Sequence, residues 1–373
     1  MKFIDLGKQY QRIKENVNKR ICSILDSNTY IMGKEITELE KELADYVGRK
    51  HCLSCSSGTS ALIIPLMAYN LKENDAVFVS SFTFFASAEA IVLAGATPVF
   101  IDSDETYNLN PEKLEEAIEA ALQEGKLIPK GIMPVDIFGL VADYETIEKI
   151  AKKYDLFVIS DAAQSFGGER DGKKACSFGD VAGTSFFPAK PLGCYGDGGA
   201  IFTDNDELYE VMKSIRIHGQ GESKYDNVRI GINGRLDTIQ AAVLLEKLKI
   251  LDDERRVKLK IATQYSELLK DYYEVPIIPD NCESALAQYT ILTKDSSHRE
   301  QIIQHMESIG IPIMIYYVYP MHMQKAFEYL NYKPSDLHVS ENFSKRAISL
   351  PMHAYLTSDD VNLICEELVK LAK

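Results

Sequence analysis

The 373-residue chain predicts the α/β class: a mostly parallel central sheet with helices on both faces, plus a smaller C-terminal α+β domain. Three observations carry this. Short apolar runs alternate with stretches of helical period between Cys52 and Ser160. The length exceeds what one simple core fills. A long helical stretch, residues 235 to about 269, is of the kind that bridges two domains. Residues 1–250 are therefore expected to form a large domain with N-terminal helices, and residues 251–373 a small one.

The elements follow in order. Residues 8–26 recur near helical spacing through Tyr10, Ile13, Val17, Ile21 and Ile24. Residues 34–47 do so more clearly, through Ile36, Leu39, Leu43 and Val47, with Gly48 as a stop. Between them, Tyr30-Ile31-Met32-Gly33 is a connector or the lip of a pocket. Cys52-Leu53-Ser54-Cys55 reads as a short strand. It enters a small-residue turn, Ser56-Ser57-Gly58-Thr59, and a helix over 59–69 that Pro65 should kink or shift. Strands are expected at 76–80, 98–101, 131–135 and 156–160, with helices at 84–93, 112–123 and 144–154. After the long helix come a mixed segment (275–292), a helix (298–309), a strand (311–317) and a final helix (358–371) started by Ser358.

Composition limits the function classes. Apolar residues make up 46% and charged residues 26%, as in ordinary globular proteins. No apolar run is long enough to cross a membrane, and MKFIDLGKQYQRIKEN lacks a signal-peptide apolar region. A cytoplasmic protein without a membrane partner is expected. The 41 basic and 55 acidic side chains give a net charge of −14. That argues against a nucleic-acid surface, but not against small anions held by local donors. The seven cysteines are scattered and read as reduced thiols. Cys52 and Cys55 form a C-x-x-C without the second ligand pair that zinc needs, so no metal is expected.

The chemistry centres on VAGTSFFPAKPLGCYGDGGAIFT, residues 181–203. Here Lys190 sits between two prolines ahead of a glycine-rich turn. Pyridoxal phosphate (PLP) needs an amine for its aldehyde, an anion site for its phosphate, a carboxylate for its pyridine nitrogen and a flat partner for its ring. Lys190 offers the amine. Gly58, Thr59 and Ser185 offer the phosphate site, where a helix start leaves N–H groups free. Asp161 offers the carboxylate at a strand end, and Phe84 the flat face. Each residue alone has a plainer reading: a surface lysine, a turn aspartate, a core phenylalanine, a strand hydroxyl. Their joint placement favours the cofactor.

Five motifs point to a family: Ser57-Gly58-Thr59-Ser60-Ala61-Leu62, Ser81-Phe82-Thr83-Phe84, Asp161-Ala162-Ala163-Gln164-Ser165, Ser185-Phe186-Phe187-Pro188-Ala189-Lys190 and Asn233-Gly234-Arg235-Leu236-Asp237. The chain resembles the DegT/StrS family of PLP-dependent nucleotide-sugar aminotransferases, which have the aspartate aminotransferase type I fold. The likeness runs from Phe3 to His353. It implies that Lys190 bonds the cofactor aldehyde, Asp161 meets the ring nitrogen and Gln164 lies near the phenolic oxygen. Phe84 stacks on the ring, and Gly58, Thr59 and Ser185 hold the phosphate. Asn233 reaches the phosphate of a neighbouring subunit, which implies a homodimer with shared sites. L-glutamate and a nucleotide-linked keto sugar are the implied substrates.

Within the family, the lysine turn, Arg235-Leu236-Asp237-Thr238-Ile239-Gln240 and Ala287-Gln288-Tyr289 are similar to enzymes that aminate the 3-keto position of a UDP-linked N-acetylated glucuronic acid. Arg235 then suits a uronate carboxylate, or else caps or pairs at a helix start. Tyr317 and His322 are implied as sugar contacts. Tyr316 stands where those relatives carry histidine. A 3- or 4-keto-6-deoxy sugar is the alternative substrate. A sugar dehydratase on the same fold, where histidine replaces the lysine, and a non-catalytic regulator are the alternative classes.

Overall fold

The computed structural model describes residues 1–372. Two helices lead, α1 (Leu6–Ser27) and α2 (Lys34–Val47). Gly48, at φ 75°, ends the second in the left-handed region that glycine enters without a Cβ penalty. Strand and helix then alternate: β1 (His51–Cys55), α3 (Gly58–Ala68), β2 (Asp75–Ser80), α4 (Phe85–Leu93), β3 (Thr97–Ile101), α5 (Pro111–Glu124), β4 (Ile128–Met133), α6 (Tyr144–Tyr154) and β5 (Phe157–Asp161). A small hairpin, β6 (Glu169–Arg170) and β7 (Lys173–Lys174), precedes β8 (Val181–Ser185) and β9 (Gly199–Thr203). Next come α7 (Asp206–Arg216) and the 32-residue α8 (Thr238–Leu269). The chain closes with β10 (Cys282–Glu283), β11 (Tyr289–Leu292), α9 (Ser296–Ser308), α10 (His338–Arg346), β12 (Ala347–Leu350) and α11 (Ser358–Ala372).

The seven-stranded sheet has the order β1-β9-β8-β5-β4-β2-β3. Only β9 runs against its neighbours, β1 and β8; the other pairings are parallel. β2, β8 and β9 are buried at every residue, as strands covered on both faces must be. On one face α3, α4 and α7 pack against Val77, Val79, Ile159 and Ile201. On the other, α5 and α6 cover Phe78, Ile132 and Val158, while α2 and α8 cover Ala182 and Phe202. The first half of α8 belongs to that layer. Its last turns, through Ile261, Tyr265 and Leu269, join a separate cluster with β11, β12, α9 and α11. Cys52 and Cys55 are buried free thiols in β1. No helix among the described residues is long and apolar enough to cross a membrane.

Three expectations are corrected. No strand forms over 311–317: only Met314 exchanges backbone bonds with Ser349. Beyond it Tyr316 and Tyr317 turn toward the aromatic cluster around Phe82, and burying two rings outweighs further pairing. The long helix starts at Thr238, with Asp237 as its N-cap residue, so Arg235 lies outside it. The last helix starts at Ser358 as expected, with Thr357 as the cap before it. Thr357 Oγ1 accepts from the Asp360 N–H, and Asp360 Oδ2 accepts from the Thr357 N–H, a reciprocal capping box. Finally, α3 starts at Gly58 and runs through Pro65 without a break. Proline removes the donor for the Ala61 carbonyl, and that carbonyl faces Gly183 of β8, where a Cβ would lie 2.7 Å away.

Candidate active site

Three parallel strands end together. β2 stops at Ser80, β5 at Asp161 and β8 at Ser185, and ligands gather at such carboxyl ends. The start of α3 closes in from the side. Gly58 makes this possible, because a Cβ there would lie 2.6 Å from the Ser185 Cβ. The result is a cavity of about 430 Å³, lined by Gly58, Thr59, Phe84, Asp161, Gln164, Ser185, Lys190 and Tyr317. A larger depression of about 690 Å³, lined by Arg49, Tyr69, Asp180 and Asp204 among others, holds none of these residues. Donor chemistry, not volume, decides between the two.

Asp161 is 3% exposed and forms no ion pair among the described residues. Its Oδ2 accepts from Ser87 Oγ at 2.7 Å and its Oδ1 from the Ala163 N–H at 3.2 Å. Burial pushes its pKa up, and those two donors and the Lys190 charge pull it back. Burial lowers the pKa of Lys190, which the Asp161 charge offsets in part. The lysine turn is set by the Lys190 N–H bonding the Phe187 carbonyl at 2.9 Å. Gln164 is held at both ends of its amide. Its Oε1 accepts from the Phe138 N–H and its Nε2 donates to Tyr317 Oη, each at 2.7 Å. Burial raises the Tyr317 pKa far enough to keep the phenol protonated.

These residues fit PLP. A buried carboxylate without a bonded cation matches a pyridinium N–H. The Phe84 side chain is 57% exposed, a flat face at the cavity that a ring would cover. The first-turn N–H groups of Gly58 and Thr59 have no intrahelical acceptors. With the Ser185 hydroxyl they make an anion site.

Three predicted site residues lie elsewhere. Asn233 and Arg235 line an open depression of about 360 Å³ with Ile31, Ser56 and Gln240, and Asp197 lines both this depression and the cavity. Arg235 Nε and Nη2 both donate to Asn233 Oδ1, at 3.1 and 2.9 Å, so no carboxylate takes its fork. Ile31 of the connector is thus on the rim of this second depression. His322 does not line the cavity. It is 3% exposed; its Nδ1 lies 2.8 Å from Ser81 Oγ and its Nε2 3.2 Å from Glu341 Oε1. The position expected to touch sugar instead ties the end of β2 to α10.

Sequence reasoning missed Ser87, Gln288 and Asp136. Ser87 sits four residues after Thr83, a spacing that brings two hydroxyls together. Gln288 lines the cavity, and its motif gave no role. Asp136, fully buried behind Asp161, accepts from the Ala142 N–H and from Tyr144 and Ser165 hydroxyls. Nothing in the run Val135-Asp136-Ile137 signals that.

Residues 11–369 match the DegT/DnrJ/EryC1/StrS aminotransferase family. The chain belongs to this family. It is a PLP-dependent sugar aminotransferase with the type I fold. It is similar to UDP-2-acetamido-2-deoxy-3-oxo-D-glucuronate aminotransferase of Pseudomonas aeruginosa, at 43% identity over 99% of each chain. A crystal structure of a DegT/DnrJ/EryC1/StrS aminotransferase from Brucella abortus superposes with a TM-score of 0.96 at 50% identity, covering 99% of both chains. NtdA from Bacillus subtilis, solved with bound cofactor PMP, superposes at 0.89 with 28% identity, covering 99% of this chain and 83% of that one. Family membership thus assigns PLP to this aminotransferase.

Proposed function

We propose that this aminotransferase moves the amino group of L-glutamate to the 3-keto carbon of a UDP-linked N-acetylated glucuronic acid, in bacterial surface glycan biosynthesis such as lipopolysaccharide assembly. The observation that carries the reading is the full-length likeness to the P. aeruginosa aminotransferase, whose name states that substrate. The fork of Arg235 meets only the neutral amide oxygen of Asn233, which supports a uronate as its partner, since a guanidinium pairs bidentately with a carboxylate.

PLP, when bound, supplies an aldehyde and an electron-withdrawing ring. The protein does the rest. Gly58, Thr59 and Ser185 would hold the phosphate, Asp161 the ring nitrogen, and Phe84 the ring face. Lys190 Nζ carries the proton to and from the reacting carbon as general base and acid. Its lowered pKa favours a neutral amine for that work. Tyr317 donates toward the cavity, because its oxygen already accepts from Gln164. Glutamate leaves as 2-oxoglutarate, and the keto carbon receives the nitrogen.

We also propose a cytoplasmic homodimer. Asn233 and Arg235 lie outside the cavity of their own chain, which supports their serving a partner's site. Tyr225 and Ile230 are 86% and 83% exposed, apolar surface of the kind a second copy covers. A division at 250/251 is the matching domain proposal, supported by the two clusters along α8.

The test is incubation of PLP-loaded protein with glutamate and a panel of keto nucleotide sugars, uronate and 6-deoxy types included, with products identified by mass. Amination of the 3-keto uronate is expected. Amination of only non-uronate sugars would overturn the role of Arg235.

A further inference from the structure

Among the described residues that line the cavity, Asp161 is the only buried carboxylate, and a carboxylate there must be both aimed and kept charged. Ser87, in the first turn of α4, donates from Oγ to Asp161 Oδ2 at 2.7 Å. The same Oγ lies 2.9 Å from Thr83 Oγ1. A hydroxyl has a single proton. Ser87 commits its own to Asp161, so the proton between the two hydroxyls is that of Thr83. The bonds run in one direction, from Thr83 to Ser87 to Asp161. Thr83 and Ser87 are each 1% exposed, so solvent does not compete for them.

We propose that Ser87 is a positioning residue: with Thr83 behind it, it aims the Asp161 carboxylate at the ring nitrogen of the cofactor and keeps that carboxylate ionised. This rests on PLP occupying the cavity as proposed above.

The surroundings leave few other groups for the task. Lys190, on the turn after β8, favours the charged carboxylate. Asp136, after β4, has its own pKa raised by burial and by the Asp161 charge. Tyr144 of α6, Tyr317 and Cys176 feel the Asp161 charge, but burial holds all three protonated. Beyond Lys190 and the Ala163 N–H, the hydroxyl pair is what offsets burial. A hydrogen bond to a buried charged group is stronger than a neutral one.

The experiment titrates cofactor-free protein with PLP across a pH series, and in parallel with the 1-deaza analogue, in which carbon replaces the ring nitrogen. Affinity for PLP is expected to fall on the acid side as Asp161 takes up a proton. In Ser87→Ala that acid limb moves up by about one pH unit. Ser87→Thr, which keeps a hydroxyl, leaves it in place. Thr83→Val, which removes only the donor behind Ser87, moves it the same way by less. The acid limb for the 1-deaza analogue, set by the Lys190 amine and the phosphate, stays in the same place in all of these proteins. An unmoved limb in Ser87→Ala and Thr83→Val overturns the proposal. So does equal weakening of both ligands, which would mean that Ser87 only packs. Wild-type protein that binds no PLP at any pH would overturn the cofactor's place in this cavity, and this proposal with it.

Discussion

Gln164 Nε2 donates to Tyr317 Oη at 2.7 Å, and this bond fixes what Tyr317 offers the cavity. The amide cannot be reversed, because its Oε1 accepts from a backbone N–H, that of Phe138. With its oxygen already accepting, Tyr317 has its proton left to give. Burial keeps the phenol protonated, so it is a donor and not a base. Tyr317→Phe is expected to lower kcat/KM for the keto sugar by about tenfold, the weight of one hydrogen bond, with cofactor binding unchanged. Steady-state kinetics and cofactor absorbance check this. Unchanged kinetics would mean that the phenol serves only Gln164.

Asp136 supplies a pH dependence. Burial pushes its pKa up to about 7, against the pull of its Ser165, Ala142 and Tyr144 partners. A carboxyl whose pKa is raised by folding is favoured while protonated. Its contribution is fully present below about 4 and is lost as pH rises through about 7. Asp136→Asn stays neutral and keeps the same shape. Urea melts at pH 5 and pH 8 should show wild type losing on the order of 1–3 kcal/mol more than the variant over this interval. Parallel behaviour of the two proteins would contradict the assignment.

Gly58→Ala tests the close approach of helix and strand. Its Cβ would meet the Ser185 side chain and backbone within 2.6–3.2 Å, so one of them must move. A cost of about 1–3 kcal/mol in stability is expected, together with weaker PLP binding, because the displaced residues make the anion site. Thermal melting and a PLP titration read the two effects. Normal affinity in a destabilised variant would remove Gly58 and Ser185 from the phosphate site.

Arg235→Ala separates sugar types. Its fork now holds only Asn233 Oδ1. The variant is expected to raise KM for a 3-keto uronate by about tenfold or more, the weight of one charge-assisted pair. KM for a 3-keto sugar without the carboxylate should stay as it was. Equal changes for both sugars would make Arg235 a structural residue.

The order of strands and helices was legible because each carries its own period, and the residues that line the cavity were legible because strand ends and helix starts show in the pattern. Asp161, Ser185 and Gly58 meet as expected for that reason. What was not legible depends on contacts far apart in the chain. The 311–317 stretch has strand composition, but its aromatic rings find a better place around Phe82 and Phe138. His322 looks like a ligand contact in sequence; Ser81 and Glu341, 241 and 19 residues away, take both its nitrogens. Ser87 and Asp136 are single polar letters in apolar runs, and only the fold brings them to Asp161.

The central claim is that the Lys190 cavity transfers an amine from glutamate to a keto nucleotide sugar. The most direct measurement uses glutamate labelled with ¹⁵N, the PLP-loaded protein and the 3-keto uronate, followed by mass analysis of the sugar product. The expected result is one ¹⁵N atom in each aminated sugar, one 2-oxoglutarate for each, and neither product with Lys190→Ala. Unlabelled product, or labelled product formed by Lys190→Ala at the wild-type rate, would contradict it.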